Sequence, residues 1–174
     1  MADSGNFAIR KINSNGNVST IIGANSGLLN RPEGLAITPG GTLYYTDYNR
    51  QIVGIANANG SVSFVMGRSN VRGFADGPAG GTGLLDGPAD IAILGSDLYL
   101  VSNRNNAIRK ITFDGALDSI STIASSVGAA AGDAEGDGKD ARFRNPIGIA
   151  IDPSGNLIIT DTNNHRIRKI VLPN

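Results

Sequence analysis

His165 is the only histidine among the 174 residues, and there is no cysteine. A cysteine nucleophile, a zinc-thiolate or iron-sulfur site and a disulfide framework are therefore excluded, and one chain cannot assemble a multi-histidine metal centre. Chemistry is left to His165, the one obvious acid-base group, for which a catalytic role is the alternative to a structural one, and to carboxylates, amides, amines, guanidiniums and hydroxyls. Asp133, Glu135, Asp137 and Gly138 begin like a calcium loop, in which alternate carboxylates converge on a hard cation. The twelfth position of that pattern is Arg144, where a bidentate glutamate belongs, which favours a solvated loop. No cofactor is expected, with calcium at Asp133, Glu135 and Asp137 as the alternative. Basic pairs recur at Arg10/Lys11, Arg109/Lys110 and Arg168/Lys169. Lys and Arg (15) balance Asp and Glu (15), and aromatics are sparse, with Phe 5, Tyr 4 and no Trp, so a nucleic-acid partner is not expected. The pairs read instead as solvent-facing charges that deter edge pairing of strands. No serine, lysine or carboxylate pair forms a catalytic constellation.

These residues sit in a repeat. Arg31-Pro-Glu-Gly-Leu-Ala-Ile37, Gly87-Pro-Ala-Asp-Ile-Ala-Ile93 and Asn145-Pro-Ile-Gly-Ile-Ala-Ile151 align, with Pro32, Pro88 and Pro146 spaced 56 and 58 apart. A bulky apolar residue lies three before each proline (Leu29, Leu85, Phe143), and a polar residue fifteen after it (Asp47, Asn103, Asp161). Ile-Arg-Lys-Ile occurs at 9–12, 108–111 and 167–170, with Ile52-Val-Gly-Ile55 in that place in the middle copy. Each period reads as four short strands. Pro39-Gly-Gly, Asn59-Gly, Asp114-Gly and Pro153-Ser-Gly-Asn supply the positive φ of tight hairpins. Four-stranded units at this period are the pattern of propeller blades, so the fold class expected is an all-β propeller of four-stranded antiparallel blades.

The segment Asn145-Pro-Ile-Gly-Ile-Ala-Ile-Asp-Pro-Ser-Gly-Asn-Leu-Ile-Ile-Thr-Asp-Thr-Asn-Asn-His-Arg-Ile-Arg-Lys-Ile170 resembles the NHL repeat, and Gly73-Phe-Ala-Asp-Gly77 resembles the inter-blade loop of bacterial NHL proteins. The copy at 31–66 departs by lacking Asn-His-Arg and the charged pair of its third strand, and the copy at 87–123 has Asn103 where Asp is usual. The resemblance implies a structural role for His165 in the turn before the third strand. Some NHL propellers bind single-stranded RNA, and a lyase resembling the family uses zinc held by histidines. The charge balance and the single histidine argue against both here.

The chain is expected to form one domain, 1–174, with a partial blade over 1–23, blades over 31–66 and 87–123, and a partial blade over 145–174. Three blades are half of a six-bladed ring. Pairing with a second copy into a homodimer is the expected closure, an excerpt of a longer propeller being the alternative, and the surplus third strand, Phe7–Ile12 or Arg166–Val171, is left open. The long loops 67–87 and 125–145 leave one face, where binding is expected at Asp47, Tyr48, Asn103 and Arg104, and at Asp161, Asn163 and His165. The ring position of Asp47, Asn103 and Asp161 could hold a cation or polar ligand, or cap the turn through backbone hydrogen bonds. The functional expectation is a non-enzymatic scaffold for an unknown protein or peptide. The alternative is a metal-dependent lactonase- or lyase-like enzyme, or a small-ligand binder, at the channel mouth. No signal-peptide pattern opens the chain and no apolar run approaches the ~20 residues of a membrane span, so a soluble protein of open compartment is expected.

Overall fold

The computed structural model describes residues 1–113, 118–125 and 130–173. The expected Asp114-Gly turn and part of the second long loop, 126–129, lie outside the described residues. The strands are β1 (Ala2–Asp3), β2 (Ala8–Ile12), β3 (Val18–Ile22), β4 (Pro32–Ile37), β5 (Leu43–Asp47), β6 (Ile52–Ala56) and β7 (Val62–Gly67), followed by β8 (Gly77–Pro78), β9 (Pro88–Leu94), β10 (Asp97–Ser102), β11 (Ala107–Thr112), β12 (Ser119–Ala124), β13 (Pro146–Ile151), β14 (Leu157–Asp161) and β15 (Arg166–Ile170). They form four antiparallel sheets in the orders β1-β2-β3, β4-β5-β6-β7, β8-β12-β11-β10-β9 and β13-β14-β15. β4, β9 and β13 pack beside one another along the inner side of the stack.

Three apolar cores fill the three spaces between these four sheets. Leu29, Leu85 and Phe143, the residues three before each proline, are buried one per core, so each linker plugs the gap it spans. Burial along a strand follows the number of covered faces. β14, in a terminal sheet, alternates buried and half-buried, whereas Leu98 to Ser102 of β10, in an inner sheet, are all buried. A strand covered on both faces has no polar side to alternate with.

Asn59-Gly60 and Pro153-Ser-Gly155 turn as expected, with φ of +84° at Gly60 and +82° at Gly155. The hairpin between β9 and β10 is different. Leu94 pairs with Asp97 across only Gly95 and Ser96, while Ile37 pairs with Leu43 and Ile151 with Leu157 across five residues. With β9 longer, the net effect is one residue fewer in this repeat, so a fixed offset from the proline overshoots. Pro32 pairs with Asp47 and Pro146 with Asp161, but Pro88 pairs with Ser102. Ser102, not Asn103, is the structural equivalent of Asp47 and Asp161. The same register places Val53-Gly-Ile-Ala56, not Ile52-Val-Gly-Ile55, in the place of Ile-Arg-Lys-Ile, because Asp47 pairs with Ile52 as Ser102 pairs with Ala107.

The N-terminal sheet holds a further correction. Ala2 and Asp3 pair with Ile9 and Ala8, which adds a short second-position strand before the expected third. Asp3 thereby joins the equivalent positions Asp47, Ser102 and Asp161. This sheet contains second, third and fourth positions and the C-terminal sheet first, second and third, so two positions are duplicated where one was expected.

Tyr45 is fully buried and its hydroxyl has no hydrogen-bond partner, and burial pushes its pKa up to about 12. Removing an orphaned buried hydroxyl relieves its desolvation cost, so Tyr45→Phe is expected to be neutral or to stabilise by up to ~1 kcal/mol in urea denaturation. Asp152 accepts hydrogen bonds from the Asn156 side-chain amide (2.9 Å) and from the backbone N–H groups of Asn156 and Ser154 (both 2.9 Å), and pairs with Lys169 at 3.2 Å. The Asn156 amide is the largest cause holding this carboxyl at about 2, below its ordinary 3.8. A depressed carboxyl contributes stability above its ordinary value and loses it as the pH falls through the folded one. The melting-temperature gap between wild type and Asp152→Asn should therefore be open at about pH 6 and close as the pH falls from about 4 toward about 2.

Candidate functional site

The second-to-third turns and the long linkers share one face. Each turn places a left-handed residue before the third strand: Phe7, Gln51, Asn106 and His165, at φ of 51°, 62°, 53° and 53°. His165 is exposed there and donates its backbone N–H to the Thr162 carbonyl at 3.1 Å, which is the turn location expected from sequence.

The carboxylates that end the second strands face donors from the linker. Asp47 accepts from the N–H groups of Asn30 (2.7 Å), Arg31 (3.1 Å) and Arg50 (3.0 Å) and is fully buried. Asp161, also buried, accepts from the Arg144 N–H (2.8 Å), the Asn164 amide (2.9 Å) and the Arg168 guanidinium (3.3 Å). Ser102 performs the equivalent join in the opposite sense, donating its hydroxyl to the Asp86 carbonyl at 3.1 Å. These residues pin each linker to the sheet that it enters.

Arg109 and Arg168 correct the expectation that the third-strand basic residues face solvent. The Arg109 side chain is 0% exposed. Its guanidinium donates to the carbonyls of Leu84 (3.1 Å) and Ala75 (2.9 Å) and to the Asp76 carboxylate (2.8 Å), over the Phe74 ring at 4.9 Å. Thr122 completes the clamp by donating its N–H (3.0 Å) and hydroxyl (2.8 Å) to Asp76. Burial lowers the Arg109 pKa and Asp76 opposes the shift, which leaves a cation that depends on this loop for solvation. Arg168 repeats the arrangement. It donates to the carbonyls of Arg142 and Ala134 (2.7 Å) and to Glu135 (3.1 Å), over the Phe143 ring at 4.6 Å. Gly73-Phe-Ala-Asp-Gly77 and Gly132-Asp-Ala-Glu-Gly136 are thus one loop used twice.

That use decides where the calcium candidates lie. Asp133 and Glu135 face Arg166 at 3.7 and 3.9 Å, and Glu135 also faces Arg168. Among the described residues no three of His, Asp and Glu are grouped as metal ligands.

The remaining candidates converge between sheets. The guanidiniums of Arg31 (4.6 Å) and Arg104 (4.7 Å) lie over the Tyr48 ring, and its hydroxyl donates to Asn103 Oδ1 at 3.0 Å. Asn103 Nδ2 donates to Asn145 Oδ1 (2.8 Å) and the Pro146 carbonyl (2.7 Å), and Asn145 Nδ2 reaches Asn163 Oδ1 at 3.4 Å. Asn103, though not in the ring position, is therefore a link between neighbouring sheets on this face. Glu33 and Asp86 balance the two arginines, at 2.5 and 3.4 Å. Tyr48, Asn103, Arg104 and Asn163 form one connected network, whereas Asp47 and Asp161 lie beneath it as buried pins and His165 stands in its own turn. The network offers guanidinium and amide groups, the chemistry that recognises carboxylates and peptide groups.

Arg31, Asn145 and Asp90 were missed by sequence reasoning. Arg31 and Asn145 immediately precede aligned prolines, a position that carries the linker across the face. Asp90 stands where the other copies have Gly34 and Gly148, and its Oδ2 accepts from the Ile149 N–H of the next sheet at 3.0 Å. The departure from glycine was its signal. A Cβ on Gly34 would lie 2.7 Å from Asp90 Cα, so the inner strands are closely apposed there.

Residues 143–170 match the NHL repeat family model. No curated protein matches the chain. Among solved structures, an auxiliary nutrient binding protein from Bacteroides thetaiotaomicron is similar over 94% of this chain and 42% of its own, at 19% identity and a TM-score of 0.76. A protein of unknown function from the same organism is similar over 94% and 42%, at 22% identity and a TM-score of 0.78. Virginiamycin B lyase from Staphylococcus aureus is similar over 99% and 51%, at 18% identity and a TM-score of 0.55. At these identities the likeness is one of fold, propeller-like, and the chain spans between two fifths and about half of these structures.

Removing Arg109 takes the guanidinium donors from the Leu84 and Ala75 carbonyls and from Asp76, which keeps the N–H and hydroxyl of Thr122. Arg109→Met is expected to cost about 2 kcal/mol in urea denaturation, the scale of losing charge-assisted hydrogen bonds from a buried guanidinium to the loop, with half-exposed Asp76 left to Thr122 and water. Arg31→Met, at an exposed side chain, is expected to cost less than about 1 kcal/mol.

Proposed function

We propose that this chain, whose residues 143–170 are an NHL repeat, is a non-enzymatic scaffold that presents its long-loop face to a protein or peptide. The observation that carries this reading is the network of Arg31, Tyr48, Arg104 and Asn103, continued by Asn145 and Asn163. It runs across sheets that share cores, so its donors are held in place before any ligand arrives. An aromatic ring against two guanidiniums, with amides beside it, suits a peptide bearing carboxylates. We further propose that two copies pair to close a six-bladed ring. Among the described residues the first sheet has no inner strand and the last no outer strand, and Ile12, Val18 and Ile167 on these two sheets, with Val171 just beyond the last, are exposed. Covering such surfaces is what association offers.

A second reading, a lactonase- or lyase-like enzyme or small-ligand binder at the channel mouth, is favoured by the likeness to virginiamycin B lyase and by Asp90 on the inner strand. The two separate in one measurement. Adding calcium or zinc to chelator-treated protein should leave the melting temperature unchanged for the scaffold and raise it for a metal-dependent site. Sedimentation equilibrium tests the pairing: a dimer is expected, and a stable, cooperatively folded monomer at micromolar concentration overturns it. For the binding face, Tyr48→Ala should abolish pull-down of the partner peptide while leaving the melting temperature within a few degrees.

A further inference from the structure

One third-strand position is occupied by Arg10, Gly54, Arg109 and Arg168 in the four sheets. Its occupant follows the linker that enters the sheet. Arg109 and Arg168 are entered by long linkers carrying Gly-x-Ala-(Asp/Glu)-Gly, and each clamps that loop. The sheet with Gly54 is entered by the short linker 23–31. An arginine at this position therefore marks an acidic loop to be held.

Arg10 has the parts of a clamp and no loop in it. Arg10 pairs with Thr20 as Arg109 pairs with Thr122, across a pairing irregularity that the sheet with Gly54 also has and that therefore belongs to the repeat. In the Arg109 sheet the threonine N–H there is turned to the carboxylate of the loop. The Arg10 guanidinium donates to Asp3 at 2.6 Å, the counterpart of the Arg168–Asp161 contact, and to Thr20 Oγ1 at 3.0 Å. Among the described residues, no other carboxylate pairs with it. A cleft of about 510 Å³ lies beside these side chains, bounded by Asn6 and Gly23–Ser26.

The opposite end of the chain has the loop without the threonine. Gly132–Gly136 is held by Arg168, but its sheet ends at the third strand, so among the described residues of that sheet nothing stands where Thr122 stands. The Glu135 side chain is 77% exposed, against 45% for Asp76.

We propose that the Gly132–Gly136 loop of a second copy seats in the Arg10–Thr20 cleft, with the Glu135 carboxylate accepting from the Arg10 guanidinium and from the Thr20 N–H and hydroxyl. This rests on the pairing of two copies proposed above and names the contact that directs it. The cleft and the loop are each incomplete in one chain, and each is completed by chemistry that the chain already uses between Asp76, Arg109 and Thr122.

Sedimentation equilibrium on the full chain, its Thr20→Val and Glu135→Gln variants and the double variant tests this. A ring closed by two copies makes this contact twice, so each single change is expected to raise the dimer dissociation constant roughly a hundredfold, about tenfold for each lost charge-assisted hydrogen bond, and the double change no further than one single change. A dimer whose dissociation constant moves less than about twofold in both variants, or whose two effects multiply, overturns the contact while leaving the pairing intact. If the wild-type chain is a monomer, the pairing fails and the second copy is overturned as donor. A labelled peptide of residues 130–143 then tests the cleft alone. Binding that is lost in Arg10→Ala keeps the chemistry of the cleft, and absence of binding overturns that as well.

Discussion

A guanidinium removed from water must direct most of its donors to protein oxygens, and in this chain the terminal N–H groups of Arg109 and Arg168 do so by holding the long loops, while Arg109 Nε is left without a partner. Arg109 and Arg168 sit in the middle of third strands, yet their partners are loop carbonyls and carboxylates that precede the arginines in sequence by 25 to 34 residues. The clamp lays each loop over the edge of the sheet and lets Leu85 and Phe143 plug the adjoining core. It also spaces the aligned prolines, after which the inner strands begin.

The inner strands are joined by a second set of contacts. Thr46 accepts from the Gly34 N–H at 2.8 Å and donates to the Ala89 carbonyl of the next sheet at 2.9 Å, while Asp90 reaches the following one. Gly34 keeps the strands close enough for this, because a side chain there would meet the Asp90 backbone. The binding face inherits its rigidity from these contacts. Tyr48, Asn103 and Asn145 belong to different repeats, and they meet because the strand ends below them are already locked.

The clamps explain why the repeats are unequal. The copy with Gly54 has lost its arginine, its charged pair and its long linker together, and the Tyr45 ring fills the space: a Cβ on Gly54 would lie 2.7 Å from it. What looks in sequence like a weakened repeat is a consistent alternative, in which an aromatic ring replaces a clamped loop.

Much of this was legible in the residues. Strand periods, the Asn59-Gly60 turn, the plugs Leu29, Leu85 and Phe143, and the left-handed turn at His165 follow from local spacing and local backbone chemistry. The NHL-like signature at 145–170 carried the fold. Other features were decided elsewhere in the chain. Asn103 and Ser102 exchange roles because one hairpin is shorter, and a shift of one residue turns a side chain to the other face of a strand. Ile9-Arg-Lys-Ile12 and Ile108-Arg-Lys-Ile111 are identical strings, yet Arg109 is buried and Arg10 is partly exposed. A strand's own residues set its pairing and its alternation. Whether a charge on it is solvated by water or by protein depends on which distant segment covers it, and that only the tertiary structure decides.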